Sequence, residues 1–132
     1  MQFHLFFAGL ARDCEDVIER NVASVLSLLS YSQISRLNLF ILENGSRDRT
    51  REILLRLAHQ YSTIQLCLLP SMDAIYPSRV QRIAACRQHL FEIIIKKASE
   101  NSSSESVIQL YIPVDLDSHI FSSLDKNLFV KA

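Results

Sequence analysis

Two carboxylates one residue apart, Asp115 and Asp117, close an apolar run and are the strongest chemical signal in the chain. Asp oxygens suit hard divalent cations such as Mg2+ or Mn2+, and a pair at this spacing can share one ion. A solvated turn or a helix cap accounts for the same pattern. Position favours the ion, because a long apolar run ordinarily ends on Gly, Asn or Ser. His119 follows two residues later as a further metal ligand or a plain surface histidine. Arg87 is the second anomaly. On the wheel that turns Val80, Ile83, Ala84, Phe91 and Ile94 inward, it falls in the middle of the apolar stripe, where a charge needs a partner. Either its stem packs while its head reaches water, or the guanidinium is aimed at a nucleotide or a carboxylate at the edge of a sheet. Arg79 and Arg82 lie off that stripe, solvated or bordering a phosphate site near the start of the same helix. Glu43 closes another apolar run, where an acid accepts hydrogen bonds from a base or ribose, or caps the following helix. Cys14, Cys67 and Cys86 are odd in number and widely spaced, with no CxxC and no local His or basic partner of the kind that marks a nucleophile. That reads as reduced, inert thiols of a cytoplasmic protein, not as nucleophiles or zinc ligands.

The elements that must position these residues follow from periodicity. Phe3 to Leu10 is short, aromatic-rich and continuous, as a buried parallel strand requires. A helix is predicted from Glu15 to about Leu29, with Ile18, Val22, Val25, Leu26 and Leu29 on one face and Asp13 as its N-cap. Asn38 to Leu42 reads as a second strand, stopped by the turn former Asn44-Gly45. Ser46 and Asp48 offer caps to a second helix, on which Thr50, Ile53, Leu54, Leu57 and Tyr61 recur at helical spacing. Ile64 to Leu69 is a third strand closed by Pro70, and Ser71 to Pro77 is a loop. A long helix runs from about Ser78 to Ala98. After a Ser-rich loop, Asn101 to Ser106, comes the fourth strand, Val107 to Val114. Ile120 to Lys131 allows only a short amphipathic piece. This alternation predicts an α/β domain of three layers, α/β/α, around a mostly parallel, Rossmann-like sheet. Such sheets bind ligands at the carboxyl ends of their strands, and there the polar clusters fall: Arg12-Asp13, Glu43 to Ser46, and Asp115 to Asp117.

Composition narrows the partners. The 132 residues are 48% hydrophobic and 21% charged, which suits one folded domain over the whole chain and excludes intrinsic disorder. Fourteen basic and fourteen acidic residues cancel, and no Lys/Arg run is present, so neither nucleic acid nor an anionic membrane surface is an expected partner. The best apolar stretch, Phe3 to Ala11, is about half the 18 to 20 residues that a membrane helix needs, and no basic region precedes it. The sequons at Asn44 and Asn101 carry meaning only in secreted chains and are set aside.

Four stretches together resemble the nucleotide-sugar half of a glycosyltransferase with the GT-A fold: FFAGLARDCEDVIERNV, FILENGSRDRT, RVQRIAACRQHL and YIPVDLD. The second is similar to a strand-end signature of one or two acidic residues followed by Gly-Ser-x-Asp-x-Thr, with Glu43 and Asn44 in the acidic pair and Gly45, Ser46, Asp48 and Thr50 matching. The third resembles an Ala-Arg-Asn helix motif, with Cys86-Arg87-Gln88 in its place, and the fourth resembles the DxD motif. The wording is closer to mannosyltransferase-like members, which carry Glu-Asn-Gly-Ser or Glu-Asn-Asp-Ser, than to the largest family, which favours Asp-Asp. The resemblance covers nearly the whole chain. It implies that the backbone of Leu10, Ala11 and Arg12, with Glu43 and Asn44, frames the base and ribose of a UDP or GDP sugar. Arg87 would lie near the nucleotide. Asp115 and Asp117 would hold ribose and Mn2+ or Mg2+, and the acceptor would be a glycan or a lipid.

Asn44 and Gln88 depart from residues common in that family. The chain also stops about fifteen residues after the DxD, where the family carries its acceptor site and catalytic base. The expectation is therefore a truncated enzyme, a fragment or a remnant, with no catalytic base to name. An incomplete sheet would expose an edge and favour self-association. A non-catalytic α/β binding or interaction module derived from such an enzyme is the alternative. A flavodoxin-like or receiver-type regulator ranks third, since the first strand ends in Arg12-Asp13 where a receiver needs an acidic cluster.

Overall fold

Ten residues of nearly unbroken apolar character, Gln2–Ala11, form β1, and both flanks of this strand are paired. β2 (Ile34–Asn44) runs along one side and β4 (Val107–Asp115) along the other, while β3 (Ile64–Leu69) lies beyond β2. The computed structural model describes residues 1–100 and 106–118. Among these, the four strands form one all-parallel sheet in the order β3-β2-β1-β4. The connections carry three α-helices, α1 (Ile18–Leu26), α2 (Thr50–Gln60) and α3 (Arg79–Glu100).

Side-chain alternation along β1 and β2 sorts the core into two halves. Leu5, Phe7, Leu39 and Ile41 pack with Val22 and Val25 of α1 and Leu54 and Leu57 of α2. Phe6, Ala8, Phe40 and Leu42 pack on the other face with Cys86, Leu90 and Ile94 of α3. The sheet is therefore covered on both sides, which is why its central strands read as continuous apolar runs.

Several local expectations change for identifiable reasons. The first helix begins at Ile18, not Glu15, because Asp13 does not cap it. Asp13 has φ of 48°, and its Oδ1 instead accepts the Arg47 N–H at 2.7 Å. Leu29 is exposed and Leu28 is buried, because the chain tightens into a 3₁₀ turn over Ser27–Ser30 and rotates the stripe by one residue. β2 starts at Ile34, earlier than Asn38, since its first residues pair with Phe3 and His4 of β1. On α3 the inward face is Cys86, Leu90 and Ile94, whereas Val80 and Ile95 are exposed and Phe91, partly exposed, packs edge-on against Tyr111 of β4. His119, most of the Ser-rich loop and the segment Ile120 to Lys131 lie outside the described residues.

Beneath the far end of α3, His4 is buried against Phe6, with ring centroids 4.1 Å apart, and its Nε2 donates to Asn38 Oδ1 at 2.6 Å. Burial pushes the imidazole pKa down from 6.5, outweighing the hydrogen bond to Asn38, and nearby Arg36 lowers it further. The unfolded chain thus takes up a proton that the folded chain refuses. Stability is full above about pH 6.5 and is lost as the pH falls from there toward the lower folded-state value. The urea midpoint should decline between pH 7 and 5, and His4→Gln should flatten that decline. An equally steep curve in the variant would assign the effect elsewhere.

Candidate functional site

From β1 the chain steps outward through β2 and β3, then returns to pair β4 with the opposite flank of β1. The carboxyl ends of β1 and β4 and the start of α3 therefore meet around one crevice, where such sheets bind ligands. Leu10, Ala11, Arg12, Asn44, Arg82 and Asp117 are among the residues lining a cavity of about 220 Å³ there. An adjoining lobe of about 410 Å³ shares Leu10, Arg79, Ile83 and Asp117 with it and adds Arg87 and Asp115. As two lobes of one cleft they fall in the size range of small-molecule sites, roughly 300–1,000 Å³.

The Asp115–Asp117 turn is nailed down through its middle residue. β4 pairs with β1 up to Asp115 opposite Leu10, and the Leu116 N–H continues the ladder to Leu10 O at 3.1 Å. The Leu116 side chain is fully buried beside Gly9. A Cβ on Gly9 would stand 2.4 Å from Leu116 Cδ1, so the absence of a side chain there is what lets Leu116 seat. From α1, the buried Asn21 donates through Nδ2 to Leu116 O at 2.8 Å and Ser118 O at 3.0 Å. An apolar residue at position 21 would leave both carbonyls of the turn without this donor. Inserting the central Leu into the core leaves the flanking carboxylates on the cleft wall.

The Gly-Ser-x-Asp-x-Thr stretch after β2 proves to be a clasp between loops. Ser46 Oγ accepts the Asp13 N–H at 3.0 Å, Asp48 Oδ2 accepts that of Glu15 at 3.1 Å, and Thr50 Oγ1 accepts that of Cys14 at 2.8 Å. Thr50 in turn donates to Asp48 Oδ1 from its hydroxyl at 2.6 Å and from its N–H at 2.9 Å. Burial works against the Asp48 carboxylate, but these bonds outweigh it and hold its pKa below the usual range. Gly45 turns the chain at φ +63°, and a Cβ on it would meet the Ser71 backbone N at 2.6 Å. The motif thus fixes the end of β1 against the end of β2, which sets where Leu10, Ala11 and Arg12 stand in the cleft.

Glu43 belongs to this scaffold and is placed away from the cleft. It is fully buried, accepts the Ser46 N–H, and is bound by Arg51 Nε at 2.6 Å. Arg51 also donates to Leu69 O at 2.8 Å, bridging β2 to the end of β3. Glu43 does not cap α2, which starts at Thr50; it holds the Ser46 N–H and Arg51, and the hydrogen bonds expected from a base or ribose find no exposed carboxylate here. Asn44, next along β2, does reach the cleft, and its Oδ1 accepts the Met72 N–H at 3.2 Å.

Arg87 extends from α3 to Asp115 Oδ1 at 3.1 Å, so it meets a carboxylate at the sheet's edge as expected. It is not embedded in the apolar stripe: the two side chains are 52% and 58% exposed, and a pair so wet adds about 0–1 kcal/mol to stability. Gln88 lies on the outer side of α3, bonded to Glu92. Arg82, read as solvated or bordering a phosphate site, lines the cleft with a side chain only 18% exposed and is bound to Asp73 Oδ1 at 3.2 Å. Arg12 holds the same carboxylate with two parallel bonds of 2.8 and 2.9 Å. Neither Asp73 nor Asn21 was distinguishable in sequence, Asp73 being one polar residue in a loop and Asn21 one polar position on an amphipathic helix.

Burial pushes the thiols up, Cys14 to about 12, and Cys67 and Cys86 in the same direction, so none is a thiolate near neutral pH. Asp115 and Asp117 offer oxygen donors of the kind Mg2+ and Mn2+ take. Among the described residues no three His, Cys, Asp or Glu side chains gather into a metal-holding group, so the pair would have to share an ion with oxygens brought by a ligand. Among the same residues, no helix is long and apolar enough to cross a membrane. No protein-family model matches the chain and no curated protein matches it, so the chemistry of the cleft has to be read from its own residues.

Proposed function

We propose that this chain is the donor-binding domain of a GT-A-type glycosyltransferase, taking a nucleoside diphosphate sugar of the UDP or GDP type for transfer to a glycan or lipid acceptor. One observation carries the reading: two carboxylates and four arginines, Arg12, Arg79, Arg82 and Arg87, line one cleft at the switch point of a parallel sheet. A nucleotide packs its base on the apolar floor near Leu10 and Ile83 and places its diphosphate between the arginines and the Asp pair. Asp115 and Asp117 would hold Mn2+ or Mg2+, which when bound neutralises the charge that develops on the departing diphosphate. Arg87, now paired with Asp115, is within reach of the same phosphates.

Calorimetry with UDP and GDP, each with and without Mn2+, tests this. Affinity is expected to depend on the ion. Asp117→Asn keeps the shape and removes a charge, so it should abolish the ion dependence and leave weak nucleotide binding. Equal binding of both nucleotides with and without the ion would overturn the metal assignment, and no binding at all would overturn the donor reading.

A further inference from the structure

Much of the positive charge in the cleft is neutralised from within the chain. Arg12, just past β1, and Arg82, in the first turn of α3, converge on one carboxylate, that of Asp73 in the loop between β3 and α3. Arg82 also donates to Tyr76 O at 3.0 Å and Pro77 O at 2.7 Å, so the loop is lashed to the cleft wall by the side chains that line it. The remaining anchorage of Asp73 is local: its own N–H reaches Ser71 Oγ at 3.4 Å, and its neighbour Met72 bonds Asn44 through its N–H and accepts the Ile75 and Tyr76 N–H groups at 3.2 and 2.9 Å within the loop. A planar guanidinium making two parallel bonds fits a phosphate as well as it fits a carboxylate. The Asp73 side chain is 40% exposed and can leave toward solvent, while the Arg12 and Arg82 side chains it pairs are 24% and 18% exposed, so its withdrawal leaves two mostly covered guanidinium groups for another anion to pair.

We infer that the Arg12–Arg82 pair is an anion subsite for a phosphate group of the cleft ligand, and that Asp73 is its displaceable internal occupant, so that ligand binding releases the loop between β3 and α3. The identity of the ligand rests on the donor reading above, but the subsite does not need it and is probed with inorganic pyrophosphate alone. The Arg12 guanidinium beside Asp73 holds its carboxyl down at about 2, with Arg82 contributing, so Asp73 is charged near neutral pH and the exchange is of one anion for another. A site occupied by its own side chain most of the time shows a ligand only its vacant fraction, and the apparent affinity falls by that fraction.

Pyrophosphate titrations without metal, on the wild-type chain, Asp73→Asn and the double variant Asp73→Asn/Arg12→Gln, decide the matter. If Asp73 occupies the subsite nine-tenths of the time, Asp73→Asn should bind about tenfold tighter, and adding Arg12→Gln should remove the gain. A folded Asp73→Asn that binds no tighter, or a gain that survives Arg12→Gln, overturns the subsite. Should Asp73→Asn fail to fold, hydrogen exchange on the wild-type chain gives the answer: saturating pyrophosphate should accelerate exchange of the amides at 71–76, and protection or no change there overturns the proposal. UDP binding no better than pyrophosphate would count against the donor reading and leave the subsite standing.

Discussion

Leu116→Ala is expected to lower the unfolding free energy by about 3 kcal/mol, within the span of about 2–5 kcal/mol seen for a buried leucine cut to alanine. The residue lies between two cleft carboxylates, where a turn would be expected to be exposed and tolerant, yet its side chain is fully buried against Gly9 and the core around α1. The loss is felt twice. A cavity opens under the end of β1, and the Asp115–Asp117 turn loses the anchor that Asn21 and the Leu10 carbonyl complete. Urea denaturation checks the first effect, and faster amide exchange at positions 115–117 checks the second. A change of under about 1 kcal/mol would show that the turn holds without its central side chain, as surface substitutions do.

Arg51→Met should be comparably severe, at about 3–5 kcal/mol, the range for removing one partner of a buried ion pair. Arg51 is itself part-exposed, and its loss would look mild if judged by its own burial. The cost falls on Glu43, fully buried and left with the Ser46 N–H as its remaining hydrogen bond of those described. The double variant Arg51→Met/Glu43→Gln should recover most of the loss, because a neutral amide oxygen can still accept from Ser46. If the double variant is no more stable than the single one, an unpaired buried charge is not the cause.

The same two sites show what was readable in the amino-acid order and what was not. Strand β3 is bounded as expected, since Ile64 opens a continuous apolar run and Pro70 closes it. The paired Asp residues and Arg87 also come together as expected, because each sits at a strand end or on a helix that the sheet topology brings there. Glu43 misleads, because a carboxylate at a strand end looks the same whether it faces a ligand or an arginine eight residues on. The inward face of α3 misleads for another reason. The helix bears apolar residues on two sides, and the wheel identifies a stripe without saying which stripe meets the sheet; Cys86 and Leu90 do, and Val80 does not. Asn21 acts through carbonyls 95 or more residues away and Asp73 is gripped most tightly by Arg12, 61 residues away, distances at which spacing carries no information.

The pairing of β1 with β4 also bears on how the chain is made. Synthesis proceeds from the N-terminus, so the flank of β1 that β2 occupies is satisfied once residue 44 has emerged, while the opposite flank waits for residues 107–115. For that interval a ten-residue strand rich in Phe and Leu has one row of amides and carbonyls open, and the Cys86, Leu90 and Ile94 face of α3 has only part of its sheet to cover. Exposed strand edges of this kind invite pairing between chains, so the growing polypeptide is most vulnerable to aggregation in the stretch before β4 is complete. The strand that leads into the two cleft carboxylates is thus also the one that closes the second flank of β1.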